Sequence, residues 1–249
     1  MRTWPARLTE ALRPARLTEA LRPALIDKVD RDHRESDRAF LRRRIVAGIT
    51  LVVGTTLLGF SLNVQTDSPF FYPLTTALAA TWAIGGFASG PLHLGRISFR
   101  GELRRPVIIP VLLGLVTAVV FILGALIVRE IEPLRAYTEN VLAFARYQSL
   151  PLVALVTVMN GIAEEIFFRG ALFAAIGIWH PVAISTVIYS LTTVATGNPM
   201  LVFAAVMLGI LLGLQRRSSG GILGPILTHC TWSLTMLLVL PPVFATAAS

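Results

Sequence analysis

Three charged side chains sit close together inside one apolar run of this 249-residue chain, Val158-Met-Asn-Gly-Ile-Ala-Glu164-Glu165-Ile-Phe-Phe-Arg169-Gly170. An ionisable group at the centre of a membrane helix costs at least about 2.5–3.5 kcal/mol, so such a cluster marks a candidate site. Glu165 and Arg169 are four residues apart and share a helix face, with the acid on the favourable amino-terminal side. Asn160 lies one turn before Glu164 on that residue's own face. Glu164 therefore has no cation one turn away, and is expected to face the bundle interior as a general base that activates water. A second polar group is embedded in Gly221-Ile-Leu-Gly-Pro-Ile-Leu-Thr-His229-Cys230-Thr231-Trp232-Ser233. His229 enters its run at a depth that overlaps that of Glu164, and Ser233 follows one turn later on the same face. An imidazole beside an unpaired carboxylate suits water activation and charge stabilisation. The bland alternative is a packing pair (Glu165 and Arg169), a hydrogen-bonding Glu164 and an ordinary core histidine.

The elements that must position these residues follow from composition. Hydrophobic residues make up 54% and charged residues 14% of the chain, and mean hydropathy is +0.70. Soluble domains carry about 25% charged residues, so lipid must be the solvent for much of this chain. The expected fold is an all-α polytopic transmembrane bundle of about seven spans, at 45–63, 74–93, 107–128, 150–178, 182–196, 200–215 and 222–240. The fifth and sixth are short for a bilayer crossing. The net charge of +8 does not indicate nucleic acid, because just over half of the 22 Lys and Arg lie in the first 44 residues, among half of the 14 acids. Composition excludes a soluble DNA-binding domain and a secreted globular enzyme. A single cysteine, Cys230, excludes an intramolecular disulfide.

Residues 1–44 read as a basic, mobile cytoplasmic arm containing an identical nine-residue duplication, Pro5 to Arg13 and Pro14 to Arg22. No cleavable signal peptide is expected. Residues 45–149 hold the first helices and an amphipathic connection over 129–149, residues 150–240 the site-bearing core, and 241–249 a tail. Arginines at 96, 100, 104, 105, 216 and 217 fall on the arm's side, which predicts a multi-pass plasma-membrane protein with a cytoplasmic amino terminus. Gly209 and Gly213 form a Gly-x-x-x-Gly pair that permits close helix contact.

Glu-Glu-Ile-Phe-Phe-Arg-Gly resembles the first motif, Glu-Glu-x-x-x-Arg, of the CPBP family: the CAAX-protease and bacteriocin-processing (Abi) intramembrane proteases. The stretch from Phe203 through Gly209, Gly213 and Arg216-Arg217 to His229 and Ser233 is similar to that family's small-residue helix, basic turn and third motif, His-x-x-x-Asn or Asp. The resemblance covers roughly residues 150–240. It implies a polar cavity between membrane helices where a peptide bond of a membrane-associated polypeptide is hydrolysed. Within it Glu164 would act as base and His229 would stabilise the oxyanion or hold the water, while Glu165 and Arg169 brace the helix.

Two positions depart from the pattern. Where the middle motif Phe-x-x-x-His is expected stands Tyr189-Ser-Leu-Thr-Thr193, and the third motif ends in Ser233. Thr193 could donate a hydrogen bond but cannot carry the charge of an imidazolium. The chain is thus identified as a divergent CPBP member, an intramembrane endopeptidase of attenuated activity. The alternative is an inactive relative that binds a membrane partner as an immunity or scaffold protein. Expected catalytic residues are Glu164, Glu165, Arg169 and His229, with support from Asn160, Thr193 and Ser233. No cofactor is identified. Zinc is disfavoured, since catalytic zinc takes three protein ligands and His229 would be the sole imidazole. Expected partners are lipid and a membrane-associated polypeptide, not nucleic acid.

Overall fold

The computed structural model describes residues 14–30, 35–99 and 101–245. The first copy of the duplication, Pro5 to Arg13, lies outside the described residues. Those residues form nine helices and one small hairpin. The helices are α1 (Pro14–Leu25), α2 (Asp37–Asn63), α3 (Phe71–Ser89), α4 (Ile108–Val128), α5 (Glu132–Tyr147), α6 (Leu150–Ile176), α7 (Pro181–Val194), α8 (Pro199–Ser219) and α9 (Leu223–Ala245). Strands β1 (Ile97–Phe99) and β2 (Glu102–Arg104) pair antiparallel between α3 and α4, with Ile97 opposite Arg104. The fold is an all-α bundle, as the hydropathy pattern predicts.

The expected count of about seven spans is not confirmed. Each of the seven runs coincides with a helix, but five helices are long and apolar enough to cross a membrane: α2, α4, α6, α8 and α9. The 14 residues of α7 reach about 21 Å at 1.5 Å per residue, short of a hydrocarbon core of about 30 Å. Helix α3 is diluted by Thr75, Thr76, Thr81, Gly85, Gly86 and Ser89. Several of these, including Thr75, Gly85 and Ser89, are buried against neighbouring helices. The sixth run, by contrast, extends to full length, because Gln215, Arg216 and Arg217 continue α8 to Ser219. Side chains such as Ile49, Val52, Ile84, Val116, Ile127, Leu155 and Leu191 project outward, as lipid-facing positions do.

Several boundaries fall away from the hydrophobic edges for local reasons. Helix α2 starts at Asp37, because Ser36 Oγ accepts the Ala39 N–H and caps the first turn. Its charged first turns pack rather than float: Arg44 Nε donates to the Ala175 carbonyl, and Arg43 is buried beneath Ser89, the Pro91 carbonyl and Glu35. Helix α9 continues through Pro241 and Pro242, where a break was expected. Phe244 holds the last turn in a cluster with Ala125, Leu142 and Leu240. The second copy of the duplication forms α1. The segment after it is tied to the end of α8, where Ser218 Oγ lies 2.8 Å from the Pro23 carbonyl and 2.6 Å from that of Asp27. The Val29 N–H also donates to the Ser218 carbonyl.

The core sits where α2, α3, α6, α7 and α8 meet. Trp82 is 1% exposed and stacks on Phe167 at 4.6 Å, with Phe168 5.1 Å away. The Gly-x-x-x-Gly pair makes the expected close contact: a Cβ on Gly209 would lie 2.7 Å from Thr186 Cγ2, and one on Gly213 3.0 Å from Val182. That contact draws α8 onto α7. Two ends of the bundle are distinct. The arm end carries α1, the hairpin and Arg216; the far end carries the α2–α3 connection, α5 and the α7–α8 turn.

At the arm end, the hydrogen bonds from Arg43 hold the Glu35 carboxyl below its ordinary value, against partial burial. A carboxylate with a depressed folded-state pKa stabilises fully above its unfolded pKa of about 4.3, and that contribution disappears as pH falls through the folded value. Glu35→Gln should therefore lower the unfolding temperature of detergent-solubilised protein at pH 7. The gap from wild type should close only as the pH falls through the lowered folded-state value, below which both carry a neutral side chain.

Candidate functional site

The site begins with a change of helix geometry. After Glu165, helix α6 widens into a π-helical segment over Ile166–Leu172, all seven residues of which are buried. Such segments occur often at functional sites, because i→i+5 bonding alters side-chain directions and backbone access. Here Arg216 Nε, reaching from α8, donates to the Arg169 carbonyl at 2.6 Å. Helix α9 approaches α6 over Gly161, where a Cβ would meet Cys230 Sγ at 3.4 Å and the His229 ring at 3.9 Å.

Glu165 is the buried anchor, with no exposed surface. Its Oε1 accepts from Arg169 Nη1 at 3.0 Å and bonds His229 Nδ1 at 2.9 Å. An ionised carboxylate only accepts, so Nδ1 carries the proton in this contact, and the tautomer leaves Nε2 for other work. Arg169 is also placed 4.8 Å over the Tyr189 ring and 3.5 Å from the Leu208 carbonyl. Glu165 Oε2 and Arg169 Nε are buried with no hydrogen-bond partner among the described residues.

Glu164 has a different partner. The Tyr189 hydroxyl donates to its Oε2 at 2.8 Å, and Phe168 packs 4.7 Å from the Tyr189 ring. Glu164 and His229 both line a cavity of about 170 Å³, with Trp82, Phe168, Tyr189, Thr193 and Trp232 around them. A carboxylate held by one oxygen, an imidazole and a phenol share one small chamber inside the bundle. This set can position water, accept its proton and donate hydrogen bonds to a developing anion.

The sequence-derived residues divide accordingly. Glu164, Glu165, Arg169 and His229 come together, but the histidine is bonded to Glu165 rather than to Glu164. Thr193 lines the cavity, with its hydroxyl donating to the Tyr189 carbonyl of its own helix. Ser233 turns back onto the His229 carbonyl, and the Asn160 amide N–H donates to the Val156 carbonyl. Tyr189 is the residue that reading by motif missed. It occupies the aromatic position of the middle motif, where its ring is expected but its hydroxyl is not, and the extra oxygen was the available signal.

A zinc ion does not suit this donor set. Among the described residues no three His, Cys, Asp or Glu side chains form a metal-binding group. Glu165 Oε1 already receives a guanidinium and an imidazole N–H, and His229 is the one imidazole lining the chamber. His180 is an exposed amino-terminal cap of α7, His93 lies in the arm-end loop, and His33 is outside the described residues.

Residues 146–235 match the family model described as type II CAAX prenyl endopeptidase Rce1-like. Over that segment, about a third of its length, the chain is similar to this family. No curated protein and no solved structure matches the chain. The Rce1-like segment spans α6 through most of α9, and so contains Glu164, Glu165, Arg169, Tyr189 and His229.

The burial of Glu165 sets a stability test. Arg169→Met should cost about 3–5 kcal/mol, because it strips a buried carboxylate of its cation. Adding Glu165→Gln should recover much of that loss. Tyr189→Phe removes one hydroxyl and should cost only about 0.5–1.5 kcal/mol. Thermal unfolding of the detergent-solubilised proteins, ranked in this order, checks the network.

Proposed function

We propose that this chain is an intramembrane endopeptidase that hydrolyses a peptide bond of a membrane-associated polypeptide. The observation that carries the proposal is the sharing of one small chamber by Glu164 and His229, each held by a separate partner. The Rce1-like match over these residues supports the same reaction class.

In this reading Glu164 takes a proton from water while the water oxygen attacks the scissile carbonyl carbon. The water's second hydrogen is held by the bare Nε2 of His229, whose Nδ1–H stays on Glu165, and the attack leaves a tetrahedral oxyanion. The C–N bond then breaks, and Glu164 returns the proton to the departing amine. Tyr189 orients Glu164, and Glu165 with Arg169 fixes His229, so both act as positioning groups. The reaction is screened from bulk water and lipid, where such hydrogen bonds stabilise charge most. The charge distribution supports a plasma-membrane protein with its arm end in the cytoplasm: Arg42, Arg43, Arg44, Arg96, Arg104, Arg105 and Arg216 gather there. The far end instead interleaves Arg129, Arg135 and Arg146 with Glu130, Glu132 and Glu139.

Once a cleaved polypeptide is identified, Glu164→Gln should reduce its turnover by at least about 10²-fold, with His229→Ala similar and the fold intact. Unchanged cleavage by either variant would end the hydrolytic reading. The second reading, an inactive relative that binds a membrane partner, is favoured by one observation: the Thr193 and Ser233 hydroxyls serve backbone carbonyls of their own helices. In that case partner abundance should survive Glu164→Gln but fall when Ala204→Trp fills the chamber.

A further inference from the structure

A second and larger cavity, of about 460 Å³, lies at the far end of the bundle. Its walls come from the end of α2 and the following loop, the inner face of α5 and the turn between α7 and α8. It shares Leu62, Thr196 and Leu201 with the chamber that holds Glu164 and His229. The two spaces therefore adjoin across three side chains. Its polar lining is made of amides and hydroxyls, among them Asn63, Gln65, Thr66, Tyr137, Asn140 and Asn198. No Lys, Arg, Asp, Glu or His lines it among the described residues.

This chemistry selects the occupant. A lining of neutral donors and acceptors complements peptide N–H and C=O groups, which need partners once they leave water. It offers no cation to a phosphate or carboxylate, and no acid to an amine. Some of these amides are already committed. Asn198 Oδ1 caps α8 through the Met200 and Leu201 N–H groups, and its Nδ2 donates to the Tyr137 carbonyl, so it holds α5 against the α7–α8 turn. On the other wall, Gln148 Nε2 donates to the Thr66 carbonyl and ties α5 to the α2–α3 loop. Gln65 and Asn140, by contrast, are exposed. The cavity thus has a braced frame with open amides along it.

We propose that this cavity is the antechamber of the catalytic site: it receives an uncharged, non-helical segment of a polypeptide from the far end, opposite the arm, and passes it across Leu62, Thr196 and Leu201. The proposal rests on the endopeptidase reading and adds a direction of approach and a charge preference to it.

The test uses the full-length protein in phosphatidylethanolamine and phosphatidylglycerol vesicles, with a benzophenone amino acid introduced at position 140 in the Glu164→Gln background. The probes are designed single-span polypeptides whose segment emerging at the far end is rich in Ser, Thr and Asn. In a matched set, four Lys are placed in that segment, or the uncharged segment is moved to the arm end. Photo-crosslinking to the far-end uncharged polypeptide should exceed crosslinking to each matched probe by about tenfold, a difference of about 1.4 kcal/mol. It should also exceed crosslinking from the lipid-facing position Leu155. Equal crosslinking from positions 140 and 155, equal capture of the Lys-bearing or arm-end probes, or adducts dominated by lipid would overturn the proposal. Crosslinking needs no turnover, so cleavage of the same probes by wild-type protein judges the hydrolytic reading separately.

Discussion

Removing the Glu165 carboxylate from water is the constraint around which this bundle is arranged. An uncompensated charge at that depth would cost several kcal/mol. The compensation comes from two directions: Arg169 on the same helix and His229 on α9. Satisfying that one oxygen fixes the rotation of α6, the height of α9 and the tautomer of the imidazole. Close packing of α9 on α6 over Gly161 follows, because the two helices must approach closely enough for the short His229–Glu165 bond to form. Arg216 extends the same arrangement to the arm end through the Arg169 carbonyl.

Two adjacent glutamates thus acquire different work from their surroundings. Glu165 is occupied on one oxygen by two donors and carries structure. Glu164, one residue away and about 100° around the helix, meets a single phenol and faces open space. A difference in partners, rather than in residue type, separates the carboxylate held by two donors from the one that faces open space.

Much of this was legible in the chain. Charges embedded in apolar runs marked Glu164, Glu165, Arg169 and His229, since few other reasons keep such groups in lipid. The i, i+4 spacing gave the Glu165–Arg169 pair correctly. The partner of His229 was not legible, because periodicity fixes faces within one helix and says nothing of how α6 and α9 rotate against each other. Tyr189 was hidden for a similar reason: its hydroxyl matters only once α7 stands beside Glu164. The span count was blurred by α7, whose apolar residues fit a membrane but whose length does not. The docking of α1 uses backbone carbonyls at Pro23 and Asp27, which leave no side-chain signature.

The small size of the inner chamber has a consequence for anything that enters it. An α-helix with its side chains is about 10–12 Å across, too wide for a space of about 170 Å³. A membrane helix also keeps its carbonyls in its own i→i−4 bonds. A polypeptide could reach Glu164 only after a stretch of it had unravelled and given up those bonds. The ease of that local melting, governed by Gly, Pro and β-branched residues in the client, would then sort clients before any side-chain pocket could. Selectivity of this kind reads helix stability rather than sequence.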